Sequence, residues 1–313
     1  MKVGASSHDS TAMFTLQMVQ AAGVRLHAAV TPQRPCGGGA GEPVLLLHGF
    51  PDHWRLWEPL MAALAPRHQV LAPDLRGINL SDKPPLVPDY HVDRLVEDVQ
   101  ALILGLGGRC AVVGHDWGGM LAWAVAARHP SLVSRLVVLN APHPCRFAQQ
   151  LRDDPAQREA SSYVRGLTAS AAAGWLAQDA YARLWAVRSL AEPAAEAARD
   201  ERERQHCVQA WSQPGALEAA LNWYRALDID QALSPAGVPA VPSLGQADGH
   251  IEAPTLVIWG ERDGSFPVAC LQGLQRWVPR LQLERVPEGG HWLLLEQPAR
   301  VAGLVSAFLE DRP

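Results

Sequence analysis

The chain has 313 residues, of which 48% are hydrophobic and 19% charged, an ordinary balance for a globular protein with a large core. With 27 basic and 32 acidic residues, the formal net charge is −5, so nucleic acid and anionic membranes are poor candidate partners. No apolar run approaches the roughly 20 residues that span a bilayer, and the first residues lack the apolar stretch of a secretory signal.

The first 140 residues predict strands that alternate with helices. Residues 14–31 are typical of a β-hairpin. Short apolar runs without alternation predict further, buried strands: 44–50, 69–77, 110–114 and 133–140. Apolar residues with helical spacing predict the helices between them: 54–65, 92–106 and 118–130. Such alternation gives right-handed crossovers and a mostly parallel sheet with helices on both faces.

Residues 141–250 have a different pattern, with helical stretches and almost no strand signal. A Pro- and Gly-rich run at 234–249 predicts an irregular return to the core. The alternation then resumes, with predicted strands at 255–260 and 281–286 and predicted helices near 266–278 and 297–309. We therefore expect an eight-stranded α/β core, formed by 1–140 and 251–313, and an inserted helical cap at 141–250 that covers an active site.

The stretch "VVGHDWGGML" (112–121) predicts a strand, a tight turn and a helix. Such an elbow raises its central side chain, here Asp116, above the carboxyl end of the sheet as a nucleophile. An isolated aspartate before a helix is usually an N-cap, and the other motifs decide against that interpretation. The backbone N–H groups of Trp117 and of Phe50, in "HGFP", are the expected oxyanion donors. Phe50–Pro51 is a candidate cis bond.

Two later loops supply an acid and a base. Asp263 follows one predicted strand in "WGERDGSFP", and His291 follows the next in "PEGGHW". Glu261 is the alternative acid, but it stands nearer the strand end. The chain order of nucleophile, acid and histidine is that of a hydrolytic triad. His48 and His115, in contrast, are interpreted as loop-packing residues.

An aspartate nucleophile indicates attack on saturated carbon. Serine would form an ether there, whereas a carboxylate forms an ester that water can cleave at the enzyme's own carbonyl. Because Asp116 is already ionised at neutral pH, His291 is available to activate that water, oriented by Asp263. This chemistry requires no cofactor and no metal. The five scattered cysteines lack metal-ligand spacing and predict reduced thiols in a cytoplasmic protein.

The motifs "HGFP", "DLRGINLSDKP", "GHDWGG", "WGERD", "GGHW" and "LNWYRA" together resemble those of the α/β-hydrolase-fold epoxide hydrolases. The resemblance runs from about residue 20 to the C-terminus. It implies hydrolysis of a small epoxide to a vicinal diol, with two cap tyrosines that donate protons to the epoxide oxygen. Tyr224 matches one position, and Tyr163 is the better match for the other, with Tyr181 as the alternative. The cap tryptophans and aliphatic side chains suggest an apolar substrate.

Two other functions are compatible with parts of this pattern. A haloalkane dehalogenase shares several of the motifs, but the residue after His-Gly is Phe50 rather than a halide-binding asparagine, and two phenols favour an epoxide. A catalytically silent binding protein could reuse the fold. The presence of nucleophile, base, acid, oxyanion donors and phenols together argues against it. Whether the protein is a monomer or a homodimer is left open by the sequence.

Overall fold

Eight strands form a single sheet in the computed structural model, which describes residues 13–32, 41–188, 201–227 and 249–311. The strands are β1 Thr15–Gln20, β2 Arg25–Val30, β3 Val44–Leu47, β4 Val70–Pro73, β5 Cys110–His115, β6 Val133–Leu139, β7 Thr255–Gly260 and β8 Leu281–Val286. Their order across the sheet is β1-β2-β4-β3-β5-β6-β7-β8. The β1–β2 and β2–β4 pairs are antiparallel and all others are parallel. The fold class predicted from the sequence is confirmed.

Twelve helices surround the sheet or lie between β6 and β7 in the described residues. They are α1 Glu58–Leu64, α2 Val92–Gly105, α3 Trp117–Arg128, α4 Pro144–Asp153, α5 Pro155–Ala160, α6 Val164–Thr168, α7 Ala172–Leu176, α8 Gln178–Arg188, α9 Glu201–Trp211, α10 Ala216–Arg225, α11 Leu293–Glu296 and α12 Pro298–Glu310. In α2 the buried side chains recur every three or four residues, as at Leu95, Val99 and Leu102, so one face of the helix packs on the sheet.

The central strands bury both of their faces. In β3, Leu45 and Leu47 belong to the apolar core that includes α2 and α3, whereas Val44 and Leu46 belong to the core that includes α1 and α12. Successive side chains of a strand point to opposite faces, so a strand between two helical layers needs apolar residues at every position. This explains why the sequence showed uninterrupted apolar runs rather than alternation.

The helix predicted near 266–278 is wrong. The structure has two short 3₁₀ turns there, Val268–Leu271 and Leu274–Arg276. Gly273, which separates them, has a φ of 73°, in the left-handed region that interrupts a right-handed helix.

The chain between β6 and β7, residues 141–250, is called the helical segment below. Its described parts contain α4 to α10, and the last four of these helices enclose a separate apolar cluster that includes Leu176, Leu184, Trp211 and Leu221. Most of the predicted irregular return at 234–249 lies outside the described residues. Across the described residues, no helix combines the length and the apolarity needed to span a bilayer.

The register of the parallel strands brings their carboxyl ends to one edge of the sheet. Gly114 of β5 pairs with Leu47 of β3 and with Val138 of β6, and Leu139 pairs with Ile258 of β7. The loops after β3, β5, β6 and β7 therefore begin side by side, which is where open α/β sheets bind ligands.

Candidate active site

Asp116 occupies the turn between β5 and α3 with φ 51° and ψ −123°. A non-glycine residue with positive φ costs roughly 1–3 kcal/mol and marks a position that the surrounding structure imposes. The backbone carbonyl of Asp116 accepts the first helical hydrogen bond, from Met120 N–H at 2.9 Å, but its side chain makes no capping bond. The carboxylate thus does not serve as the N-cap that an isolated aspartate would provide.

The elbow requires two close approaches between chain segments. A Cβ atom on Gly118, in the first turn of α3, would overlap the backbone carbonyl of Leu47 at the end of β3. One on Gly49 would overlap the carboxylate of Asp116 itself. Only glycine leaves room for the loop after β3 to approach the nucleophile candidate.

Phe50 follows Gly49 and Trp117 precedes Gly118, so both residues adjoin these close approaches. The Phe50 N–H donates to Asp116 Oδ1 at 2.9 Å. Trp117 is the first residue of α3, so its N–H lacks an acceptor within the helix. The Phe50–Pro51 bond is cis. The structure brings both expected oxyanion residues next to Asp116.

His291 and Asp263 form a close pair beside the elbow. His291 Nδ1 donates to Asp263 Oδ2 at 2.7 Å, and His291 Nε2 lies 3.6 Å from Asp116 Oδ2. Burial by itself lowers the pKa of His291, but the two carboxylates that face its ring outweigh burial and raise that pKa to about 10. This raised pKa favours the protonated imidazolium form of His291 at neutral pH.

Asp263 is held by four donors. Its Oδ1 accepts the Ser265 and Phe266 N–H groups at 2.7 and 3.0 Å, and its Oδ2 accepts Asn140 Nδ2 at 2.7 Å in addition to His291. Burial opposes ionisation, yet His291 and these hydrogen bonds hold the pKa of the carboxyl below its usual value. Glu261, the alternative acid, instead forms an ion pair with Arg285 at 2.5 Å.

Sequence reasoning missed the part that Asn140 plays. It follows β6 with a φ of 43°, and its amide bonds to Asp263 and to both backbone groups of Gly260. It therefore ties the loop of the acid to the neighbouring strand. The available signal was its place at a strand end next to the elbow strand, where the sequence offered no acid.

His48 and His115 are both buried, in keeping with their interpretation as packing residues. His115 Nε2 donates to the His291 carbonyl at 2.9 Å, so it also supports the loop of the base. His48 Nδ1 bonds to the Gly49 carbonyl at 2.8 Å, and its Nε2 accepts the Leu75 N–H at 3.0 Å. Burial lowers the pKa of both imidazoles, which keeps them neutral.

The helical segment places two phenols above Asp116. Tyr224 lies in α10 and is 4% exposed, and its ring meets those of Phe50 and Trp117 edge to face at 5.4 and 5.1 Å. Tyr163 immediately precedes α6 and is 47% accessible. Tyr163 lines the open cavity, so much of its surface is accessible, yet its hydroxyl is desolvated there. Burial raises the pKa of both hydroxyls, and the charge of Asp116 raises it further. Both phenols are thus neutral hydrogen-bond donors across the physiological range.

Tyr181, the alternative phenol, has a different environment. It adopts a φ of 60° within a kink of α8, and its ring packs against Trp211 at 6.0 Å between ring centres. It belongs to the apolar cluster inside the helical segment.

Two cavities meet at Asp116, and Tyr163 and Tyr224 line both of them. The larger has a volume of about 520 Å³ and also exposes His291, aliphatic side chains such as Leu167 and Leu184, and a few polar groups. The smaller measures about 40 Å³. Its other lining side chains are nearly all apolar: Trp117, Met120, Phe147, Val164, Leu227 and Phe266. The geometry suits a substrate whose reacting carbon lies between the carboxylate and the phenols.

Comparison with known proteins supports the class that the fold and the site define. A family model described as the alpha/beta hydrolase fold matches residues 42–298. The chain belongs to that family.

Individual relatives show which group of proteins within this family the chain resembles. Epoxide hydrolase 3 of Xenopus tropicalis is 32% identical over 300 residues, which cover 92% of this chain and 76% of that protein. A Bacillus subtilis protein of the AB hydrolase superfamily is 33% identical, with 95% and 98% covered. The crystal structure of an epoxide hydrolase from Bacillus megaterium in complex with an inhibitor superposes with a TM-score of 0.83 at 29% identity, covering 94% of this chain and all of that one. Within the α/β-hydrolase-fold family, the chain is a member of the epoxide hydrolases.

Proposed function

We propose that this epoxide hydrolase acts through a covalent ester on Asp116, and that residues 141–250 form the cap domain of its active site. The observation that carries the proposal is the environment of one carboxylate. Asp116 accepts the Phe50 N–H through Oδ1 and faces His291 with Oδ2, while neutral phenols from Tyr163 and Tyr224 line the same cavity. The separate apolar cluster of the helical segment supports the division into two domains.

In the first half-reaction, Asp116 Oδ2 attacks an epoxide carbon, because Oδ1 is engaged by the Phe50 N–H. The carbon–oxygen bond of the ring breaks, and its electron pair stays on the oxygen. Tyr163 and Tyr224 hydrogen-bond to that oxygen and supply a proton, which makes it a competent leaving group. The product is a hydroxyalkyl ester of Asp116.

The charge of His291 changes during this step. Conversion of Asp116 into a neutral ester removes one of the two carboxylates that raise the pKa of the imidazole, so His291 then releases a proton more readily. That proton restores the phenol, and the alkylated enzyme holds a neutral histidine. A base is therefore produced at the stage that needs one.

In the second half-reaction, His291 takes a proton from water, and the resulting hydroxide adds to the ester carbonyl. The negative charge develops on Oδ1, where the Phe50 N–H already donates and the Trp117 N–H is available. The bond between ester oxygen and acyl carbon breaks, and the diol leaves with a proton. The released proton stays on His291, between the carboxylates of Asp116 and Asp263, so the free enzyme is restored.

The cavities support a substrate that is apolar near the reacting carbons. Most side chains that line the small pocket are apolar, and the large one is lined by aliphatic and aromatic side chains together with a few polar groups. The proposal retains a cytoplasmic location, for which the buried thiols of Cys110, Cys207 and Cys270 are the supporting observation.

The proposal is tested by diol release from styrene oxide and from an alkyl epoxide, combined with intact-mass analysis of enzyme quenched during turnover. We expect both diols and an adduct of the epoxide mass on Asp116. Parallel incubation with 1-bromobutane should release no bromide at a comparable rate. Diol formation without any adduct, in the wild type and in a His291→Gln variant, would contradict the covalent mechanism.

A further inference from the structure

Three hydrogen bonds converge on the loop that follows Phe50. Arg188 Nε donates to Asp52 Oδ1 at 2.6 Å, and Trp292 Nε1 donates to Asp52 Oδ2 at 2.9 Å. The indole N–H of Trp211 donates to the Pro51 carbonyl at 2.6 Å. Arg188 and Trp211 belong to the helical segment, whereas Trp292 directly follows His291. A single short loop thus contacts the helical segment and the loop of the base.

The Asp52–Arg188 ion pair is fully enclosed, since each residue is 1% exposed. Arg188 Nη2 also donates to Glu203 Oε1 at 2.7 Å, which joins α8 to α9. Burial opposes the charge of Asp52, but Arg188 beside it holds the pKa of that carboxyl below its usual value. Replacing a buried ion pair by apolar residues of similar volume is often neutral or stabilising. The geometry that the pair fixes therefore explains it better than stability does.

Asp52 is close to both halves of the chemistry. Its N–H donates to the Gly49 carbonyl at 3.1 Å, which closes the turn that presents the Phe50 N–H to Asp116. Its Oδ2 holds the Trp292 indole, whose ring contacts the His291 ring edge to face at 4.7 Å. Movement of Asp52 would displace an oxyanion donor and the support of the base together.

We infer, on the basis of the proposed function, that Asp52 is a positioning residue for both half-reactions. Through Arg188 it fixes the helical segment on the turn that presents the Phe50 N–H, and through Trp292 it fixes the ring of His291. It contacts no reacting atom. It thereby holds the cap phenols, the oxyanion donor and the base in a fixed arrangement relative to one another.

The test compares three variants with a matched control. Arg188→Gln and Asp52→Asn break the ion pair, and Trp292→Phe removes the indole N–H together with one ring of the side chain while keeping the pair. Asp98→Asn is the control, because Asp98 forms a similarly buried pair with Arg76, at 2.7 and 2.8 Å, outside the active-site loops. Rapid-quench intact-mass analysis with styrene oxide gives the rate constants of alkylation and of ester hydrolysis for each protein.

We expect Arg188→Gln and Asp52→Asn to slow both steps by about ten- to hundredfold, the loss typical of a small displacement of catalytic groups. Trp292→Phe should slow hydrolysis by about tenfold and alkylation by less, because it loses the support of the base and keeps the Asp52–Arg188 ion pair. Asp98→Asn should lower the melting temperature and keep both rate constants. A merely structural pair would lower stability without changing either step.

The proposal is overturned if Trp292→Phe hydrolyses its ester at the wild-type rate, or if the ion-pair variants are slowed no more than Asp98→Asn. Because Trp292→Phe keeps the ion pair, it decides the question even if the charge variants do not fold. Failure of the proposed function gives a different result, namely a wild-type enzyme that forms no adduct on Asp116.

Discussion

The strand-end loops and the helical segment hold their functional side chains in different ways. Asp116, Asp263 and His291 follow β5, β7 and β8 in one half of the sheet, and hydrogen bonds of 2.7 to 3.0 Å fix the Asp263 carboxylate. Tyr163 and Tyr224 belong to the helical segment, and the rings of Phe50 and Trp117 contact Tyr224 at 5.4 and 5.1 Å between ring centres. The comparison teaches that the groups proposed to act on the ester are positioned by sheet register, whereas those proposed to act on the substrate oxygen are positioned by side-chain packing.

The largest effect is expected where the two regions meet. Asp116→Ala should abolish turnover, because it removes the carboxylate that lines both cavities beside the two phenols and faces His291. We expect kcat to fall by at least ~10⁴-fold, as it does when a catalytic nucleophile is removed. Diol release measures it, and a circular dichroism spectrum like that of the wild type shows that the fold is intact. Diol formation near the wild-type rate would remove Asp116 as the nucleophile.

The second prediction concerns only the residues of the strand-end loops. His291→Gln should stop ester hydrolysis while alkylation continues, because Asp116 needs no base to attack. Intact-mass analysis after mixing with styrene oxide should show a stoichiometric adduct that persists. A variant that binds the epoxide but stays unmodified would show that the two regions do not divide the chemistry in this way.

The third prediction concerns the two tyrosines of the helical segment. Tyr163→Phe and Tyr224→Phe should each slow alkylation by roughly 10²–10³, by analogy with the loss of one oxyanion donor. The double variant should lose much more, since the developing alkoxide would have no partner. Pre-steady-state alkylation is the measurement. An undiminished alkylation rate in the double variant would show the phenol assignment to be wrong. If only Tyr163→Phe left the alkylation rate unchanged, Tyr181 would become the candidate for the second phenol.

The smallest effect concerns the electrostatic coupling between the regions. In Asp116→Asn, the neutral amide imitates the ester, so the pKa of His291 should fall below its value of about 10. A group whose pKa is raised on folding stabilises the protein below its unfolded pKa, near 6.5, and this stabilisation is lost as pH rises through the folded value. Wild-type melting temperature should therefore decline between pH 7 and 10 more steeply than that of Asp116→Asn. NMR titration of the imidazole checks the same shift directly, and identical titrations would contradict it.

The sequence predicts the sheet well because buried strands and the loops at their ends carry local signals. An apolar run followed by Gly-His-Asp or Gly-Gly-His identifies both an element and the residue at its end. The helix near 266–278 was wrong because apolar spacing was counted without the interruption at Gly273. The part played by Asn140 had only the weak signal of its place at a strand end, and that of Asp52 had no local signal. Asp52 meets Trp292 from 240 residues away, and only the folded chain shows that contact.

The close approach of Gly49 and Gly118 to their neighbours limits which sequences can maintain this site. A Cβ atom at Gly49 would occupy the space of the Asp116 carboxylate, and one at Gly118 would occupy that of the Leu47 carbonyl. In a saturation-mutagenesis library selected for activity, both codons should therefore stay glycine, although they lie far apart in the gene. Directed evolution of this enzyme can therefore change few residues at this contact. The positions to vary are the cavity-lining residues of the helical segment.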